Sequence, residues 1–316
     1  MTKLKLIKME DIQSKQVQWL WYPYIPFGKI TIVQGDPGEG KTTLALRIAA
    51  LLSNGSNLPC DSTDREPINV IYQTAEDGLD DTIKPRLEEA GADCSMIKVI
   101  DESETALSML DERIEEAINE LSAKLIILDP IQAYVGANIN MNNANEVRTV
   151  MSRIGKVAER NNCAILLVGH MNKGSGSKSS YRGLGSIDFQ ASARSVLIVG
   201  RIKDNPEIRV MAQAKSSLAP EGEAIAFELN KETGFRWVGH YKISVDELLD
   251  GSDSFSKHEL AEKIIMEKLA DGECKQSEIM NKAKLSGVSE RLMKTVKKEL
   301  GVKSKKDAEC WYWVLP

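Results

Sequence analysis

The sequence predicts an α/β fold around a mostly parallel sheet, followed by a small helical unit at the carboxyl end. Three observations carry this. Short β-branched runs alternate with amphipathic segments from about residue 28 to 240, a Gly-rich turn joins the first strand to the first helix, and the texture changes near residue 246. With 316 residues and 42% hydrophobic side chains, the chain can bury a large core.

The elements follow in order. KITIVQ reads as a strand and TTLALRIAALLSNG as a helix closed by Asn54 and Gly55; INVIYQ and a second helix come next. A third helix, ahead of the strand KLIILD, places Leu107, Leu110, Ile114, Ala117, Ile118 and Leu121 at three- and four-residue steps. The helix after that strand does the same with Val147, Val150, Met151, Ile154 and Val157, before the strand CAILLVG. Beyond Gly200 turn signals, not helices, separate SVLIV, IRVMAQ and AIAFEL, which predicts antiparallel strands extending the sheet. The first domain is placed at residues 1–245 and an acidic, small and polar linker, DELLDGSDSFS, at 246–256. Residues 257–316 form the second domain: three short helices, the third with Ser289 as N-cap, then a basic stretch and the aromatic end WYWVLP. That order predicts a winged helix-turn-helix.

Charge is unevenly spread. Residues 275–306 carry ten Lys/Arg against three Glu, a local +7 in a chain of net −5, so the remainder carries −12; the basic patch suits a polyanion. No apolar run approaches the roughly 18 residues of a membrane helix, and the N-terminal residues lack the apolar stretch of a secretory signal, so a cytoplasmic location is expected. Five scattered cysteines without a CxxC pair and three histidines argue against a disulfide framework or a zinc site.

GDPGEGKTT fits GxxxxGK(S/T) between a strand and a helix, with Gly35, Gly40, Lys41 and Thr42 at the fixed positions and Asp36, Pro37, Gly38, Glu39 and Thr43 completing the loop. Backbone N–H groups at a helix N-terminus cradle phosphate, a lysine neutralises the β- and γ-oxygens, and a hydroxyl coordinates Mg²⁺, so ATP and Mg²⁺ are the expected ligands. Asp129 ends the apolar run LIILD and should stand at the carboxyl edge of a buried parallel strand, where it can hold Mg²⁺ or cap the following turn. Pro130 follows it, so the water-activating group must come from elsewhere. Glu76, just past INVIYQ, is the candidate general base; the other reading is that Glu76 and Asp77 open a helix, where acids suit the macrodipole. His170 ends CAILLVG and is a candidate γ-phosphate sensor or a structural histidine.

These motifs, with YRG and QAKSSLAP, resemble the RecA-like ATPases over about Trp19 to Val245, most closely the plasmid and phage replication ATPases of the RepA helicase type. The resemblance implies a homo-oligomeric ring, usually a hexamer, with ATP between neighbours, Glu76 as catalytic carboxylate and His170 as sensor. It implies a basic residue acting on the neighbour's γ-phosphate: Arg194 and Lys215 fall at such positions, Arg86 is a weaker third, and Ser216, Ser217 and Leu218 depart from the pattern. It also puts the loop after the sensor strand in a central channel, making Lys173, Lys178 and Arg182 contacts for single-stranded DNA; the Asn-rich GANINMNNANE is a second channel candidate. Lys294, Lys297 and Lys298 of the third tail helix, with Lys303, Lys305 and Lys306 of the wing, form a basic face for DNA phosphates. The expected function is a DNA motor, a replicative helicase; the alternative is an ATP-gated DNA-binding switch or loader without translocation.

Overall fold

The computed structural model of the chain describes residues 6–171, 187–203, 205–230, 232–250, 257–270, 272–286, 288–307 and 310–315. The chain divides into two compact units, Met1–Gly251 and Ser252–Pro316.

In the first unit a short antiparallel pair, β1 (Trp19–Trp21) and β2 (Ile25–Pro26), leads into β3 (Ile30–Gly35) and helix α1 (Lys41–Ser53). Then come β4 (Val70–Thr74), α2 (Lys84–Glu89), β5 (Ile97–Lys98), α3 (Arg113–Leu121), β6 (Leu125–Asp129), α4 (Ile131–Tyr134), α5 (Ala144–Asn161) and β7 (Ala164–His170). The unit closes with α6 (Asp188–Ser192), β8 (Ser195–Arg201), β9 (Ile208–Ser216), β10 (Ala224–Asn230), β11 (Gly234–Tyr241) and α7 (Val245–Asp250). Among the described residues β3 to β11 make one nine-stranded sheet in the order β11-β10-β9-β8-β3-β7-β6-β4-β5, with β1 and β2 apart from it. From β5 to β8 every pairing is parallel; β9, β10 and β11 extend it antiparallel, as the helix-free turns required.

The central strands read as unbroken apolar runs because helices cover both faces. Successive residues feed opposite layers: Ile32, Ile126 and Leu128 pack with α3 and α5, while Val33, Leu125 and Ile127 pack with α1. Helix α1 is buried on most of its circumference, from Leu44 to Ser53.

Two expectations fail locally. The helix ahead of β6 begins only at Arg113, so Leu107 and Leu110 precede it. Asp111 accepts from the Arg113 backbone N–H at 3.0 Å, and Glu102 accepts from the Leu107 N–H at 2.9 Å. The periodicity reflected burial, since Leu107 is buried, but the backbone hydrogen bonds go to acids and to the Tyr134 carbonyl. The segment expected to open the linker is helix α7, whose Leu248 is buried in the first unit's core, because its acids lie on one side and its leucines on the other.

The second unit contains α8 (Lys257–Leu269), β12 (Cys274–Lys275), α9 (Gln276–Leu285), α10 (Glu290–Glu299), β13 (Lys303–Asp307) and β14 (Cys310–Val314). Ser289 caps α10, accepting from the Leu292 N–H at 3.3 Å. The strands pair in the order β12-β14-β13 around a core of Ile264, Ile265, Ile279, Met293, Val296 and Trp313.

Cys163, buried where α5 turns into β7, offers a test of the core. Burial pushes its thiol from 9.0 up to about 12. The folded state therefore disfavours the thiolate, and this contribution is intact below about pH 9 and lost as pH climbs towards 12. Thermal melts should show stability falling between pH 9 and 11, with a shallower fall in Cys163→Ala; equal slopes would mean that the thiol is accessible in the native protein.

Candidate nucleotide site

The loop between β3 and α1 has a backbone only glycine tolerates. Gly38 and Gly40 sit at φ +80° and +88°, in the left-handed region, and a Cβ on Gly35 would collide with the Val199 carbonyl of β8. No side chain caps the N-terminus of α1, so its first amides are free to face an anion. Lys41 is only 5% exposed and donates from Nζ to the Asp36 carbonyl at 2.8 Å. Burial holds its ammonium below the usual lysine range, and Asp129, Glu39, Asp36 and Glu76 pull the other way.

Strand order explains which acids surround it. β4, the next strand in sequence after β3, is separated from it by β7 and β6. All four are parallel, so their carboxyl ends share one edge: Gly35 is opposite His170, and Asp129 is opposite Thr74. Asp129 is 7% exposed; burial raises its carboxyl, opposed by hydrogen bonds from the Thr42 hydroxyl and from Tyr72, whose phenol donates to Oδ2 at 2.9 Å. Glu76, two residues beyond β4, brings its carboxylate 4.0 Å from His170 Nε2. The His170 Nδ1 is buried and makes no hydrogen bond among the described residues. Lys41, Thr42, Asp129, Glu76 and His170 thus meet at one sheet edge.

Arg194 and Lys215 stand elsewhere. Arg194 donates its backbone N–H to the Ile30 carbonyl at 3.0 Å, at the amino end of β3, and Lys215 pairs with Val196 one strand over. That places both towards the opposite edge, Arg194 about five residues or ~16 Å along the strand from Gly35 and Lys215 about three residues or ~10 Å. Lys215 Nζ donates to the carbonyls of Gln190 and Ala191 at 2.7 and 3.0 Å, at the end of α6, and burial lowers its pKa. Arg86 lies on the loop's own side, paired with Asp77 at 3.3 Å.

The sequence reading passed over three contributors. Arg201, at the end of β8, donates to the Gly38 carbonyl at 3.2 Å and lies 3.4 Å from Glu39. Arg209 opposes it across the β8–β9 pair, buried, with Nε 3.9 Å from Glu39 and burial lowering its pKa. Beside the loop opens a cleft lined by Thr43, Arg47, Arg86, Arg209, Leu229 and Phe235, with the Arg47 guanidinium 4.9 Å above the Phe235 ring. Basic residues at strand ends carry no fixed spacing to the loop; only the alternation of GRIKDNPEIR around a turn signals that two arginines will be cross-strand partners. Tyr72 reads as core until Asp129 is placed beside it.

Lys173, Lys178 and Arg182 lie outside the described residues. The Asn-rich stretch is engaged in local order: Asn143 caps α5 by accepting from the Asn145 N–H at 3.1 Å, and Glu146 accepts from the Asn140 N–H at 2.6 Å. In the second unit Lys294 pairs with Glu290 at 2.8 Å, Lys297 reaches Ser304 and lies 4.8 Å over the Trp313 ring, and Lys298 is exposed. The fragment WLWYPYIPFG is structural at Trp21 and Tyr24, both buried. No helix among the described residues is long and apolar enough to cross a membrane.

A mostly parallel sheet with a phosphate loop at its carboxyl edge, flanked by an acid on the third strand away, defines a P-loop ATPase of the RecA-like class. More particularly, the chain belongs to the AAA_25 family of AAA domains, whose model matches residues 3–176. The DNA repair protein RadA of Bacillus subtilis (strain 168) is 28% identical over 148 residues, 46% of this chain and 28% of the relative. The protein of that name from Streptococcus pneumoniae (strain ATCC BAA-255 / R6) is 23% identical over 231 residues, 72% of this chain and 49% of the relative. The chain therefore spans less than half the length of these curated relatives. Among solved structures, a KaiC-like protein from Pyrococcus horikoshii OT3 shares the fold, with a TM-score of 0.50 at 16% identity over 72% of this chain and 98% of that one.

Proposed function

We propose that this chain is a cytoplasmic, ATP-hydrolysing motor that assembles into a ring of six and acts on DNA as a replicative helicase of the RepA type found in plasmids and phages. The observation that carries the reading is the division of labour between the two edges of one sheet. Lys41, Thr42, Asp129, Glu76 and His170 gather at the carboxyl edge, while Arg194 and Lys215 stand towards the amino edge, away from their own phosphate loop, as groups that serve a neighbour's nucleotide would. The relatives named as DNA repair proteins support DNA as the substrate.

The residues fit a magnesium nucleotide. No side chain caps the N-terminus of α1, the buried Lys41 ammonium has a backbone carbonyl as its hydrogen-bond partner among the described residues, and the Thr42 hydroxyl stands close enough to lower the Asp129 carboxyl. Thr42 and Asp129 are the residues that would hold Mg²⁺. Mg²⁺ there supplies charge neutralisation on the phosphates. Lys41 holds the β- and γ-oxygens. Glu76 orients a water and accepts its proton as the γ-phosphate departs, and His170 hydrogen-bonds the γ-phosphate and hands its loss on to the residues that follow. Arg194, with Lys215 once released from Gln190 and Ala191, stabilises the transition-state charge from the next protomer. The arginine-lined cleft takes the nucleoside end.

On this reading Lys173, Lys178 and Arg182 grip single-stranded DNA in the channel, and the second unit is a winged helix-turn-helix whose α10 lysines ride on DNA. Replacing Lys173, Lys178 and Arg182 together should lower single-strand affinity at least tenfold and remove DNA-stimulated hydrolysis. Strand displacement on a forked duplex with ATP is the deciding measurement. Robust DNA-stimulated hydrolysis without displacement favours the second reading, an ATP-gated switch or loader, for which the RadA relatives' names are the supporting observation.

A further inference from the structure

One surface of the second unit is not accounted for by phosphate contact alone. Trp311 and Trp313 are two residues apart on β14 and share a face of the hairpin, opposite Lys306 and Ser304 respectively. Their fates differ. Trp313 is 1% exposed, floors the unit beneath α10, and donates its indole N–H to Gln276 at 3.2 Å. Trp311, two cross-strand pairs nearer the hairpin tip, keeps 50% of its surface open. Lys306 Nζ lies 5.8 Å from its ring centroid. Between α10 and the hairpin runs a groove lined by Lys294, Lys297, Lys298, Ser304 and both indoles, and the outer strand β13 is exposed along its whole length.

We propose that this groove holds unpaired nucleotides of a DNA strand, with one base stacked on Trp311 and the flanking phosphates on Lys294, Lys298 and Lys306. The proposal rests on the reading of the chain as a DNA-acting ATPase and narrows the partner of its second unit. In a duplex each base is covered by its neighbours and shows only its edges in the grooves. An open indole binds faces, so it needs a base freed from the stack, as at a strand end or a fork. The cations agree with this. Lysines are compact charges on flexible stems, suited to phosphate without the bidentate geometry that reads base edges. Lys297, partly buried against Trp313 and bonded to Ser304, shapes the groove rather than meeting the strand. The result is a site indifferent to sequence and selective for unpaired DNA.

The test uses the full chain with three DNAs of matched sequence, a fork, a single strand and a blunt duplex, each carrying 5-iodouracil at the junction or its equivalent. Photocrosslinking mapped by mass spectrometry should place a link at Trp311 with the fork and single strand and none with the blunt duplex. Acetylation footprinting in the same mixtures should show Lys294, Lys298 and Lys306 protected. Trp311→Ala should weaken fork binding about tenfold while Trp311→Phe, which keeps a ring face, costs about threefold or less; the wild-type crosslink stands even if the alanine variant does not fold. Links elsewhere in the chain with none at Trp311, and lysines protected by blunt duplex, would mean that α10 rides on paired DNA; this proposal then fails and the DNA-acting reading survives. Links elsewhere with no protection in the second unit would assign that face to a protein partner and also overturn the proposal. No link and no protection anywhere would remove both.

Discussion

Lys41→Ala is expected to lower ATP turnover by about 10³-fold or more while leaving the melting curve close to wild type. Lys41 is the one cation buried in the loop, and its charge is disfavoured there by burial, so in the absence of phosphate the side chain stabilises little. Its one hydrogen bond among the described residues goes to the Asp36 carbonyl of the loop. In the proposed nucleotide complex the same ammonium faces the charge that develops between the β- and γ-phosphates, and among the described residues the two nearby arginines are engaged elsewhere: Arg201 with Gly38 and Glu39, and Arg209 buried beside Glu39. Phosphate release at saturating ATP, with far-ultraviolet circular dichroism for the fold, checks both halves. Turnover near wild type in the variant would remove the assignment of this loop as the nucleotide site.

Glu76→Gln should lower kcat by roughly 10²- to 10⁴-fold with nucleotide affinity kept, because the amide preserves size and hydrogen bonding but cannot accept the proton of the attacking water. The carboxylate is 64% exposed and 4.0 Å from His170, so it is placed to meet a ligand and is not locked into the core. Binding of a fluorescent nucleotide measured beside single-turnover hydrolysis separates the two effects. If kcat stays within about threefold, Glu76 is only an acid at the start of the following helical segment, the reading the residues alone left open.

Much of the fold was legible in the chain because it rests on local rules. The parallel strands announce themselves as apolar runs with both faces covered, and the phosphate loop has a spacing that backbone geometry enforces at Gly38 and Gly40. What depended on strand order was harder to see. Glu76 and Lys41 come from strands consecutive in sequence, yet β7 and β6 separate them in space, and only the shared parallel direction brings their ends together. Arg201 and Arg209 become neighbours through a cross-strand register, and Tyr72 becomes polar through a partner 57 residues away. The α3 boundary was missed for the opposite reason: Leu107 is as buried as a helical leucine, and periodicity cannot tell burial from helix.

The opposed placement of Lys41 and of Arg194 with Lys215 has a consequence for how the proposed motor behaves when scarce. A solitary copy carries a lock and a key that cannot meet, so its specific activity should collapse on dilution and recover in proportion to concentration or more steeply. The cell would then hold an engine that idles harmlessly until enough copies gather on the same strand.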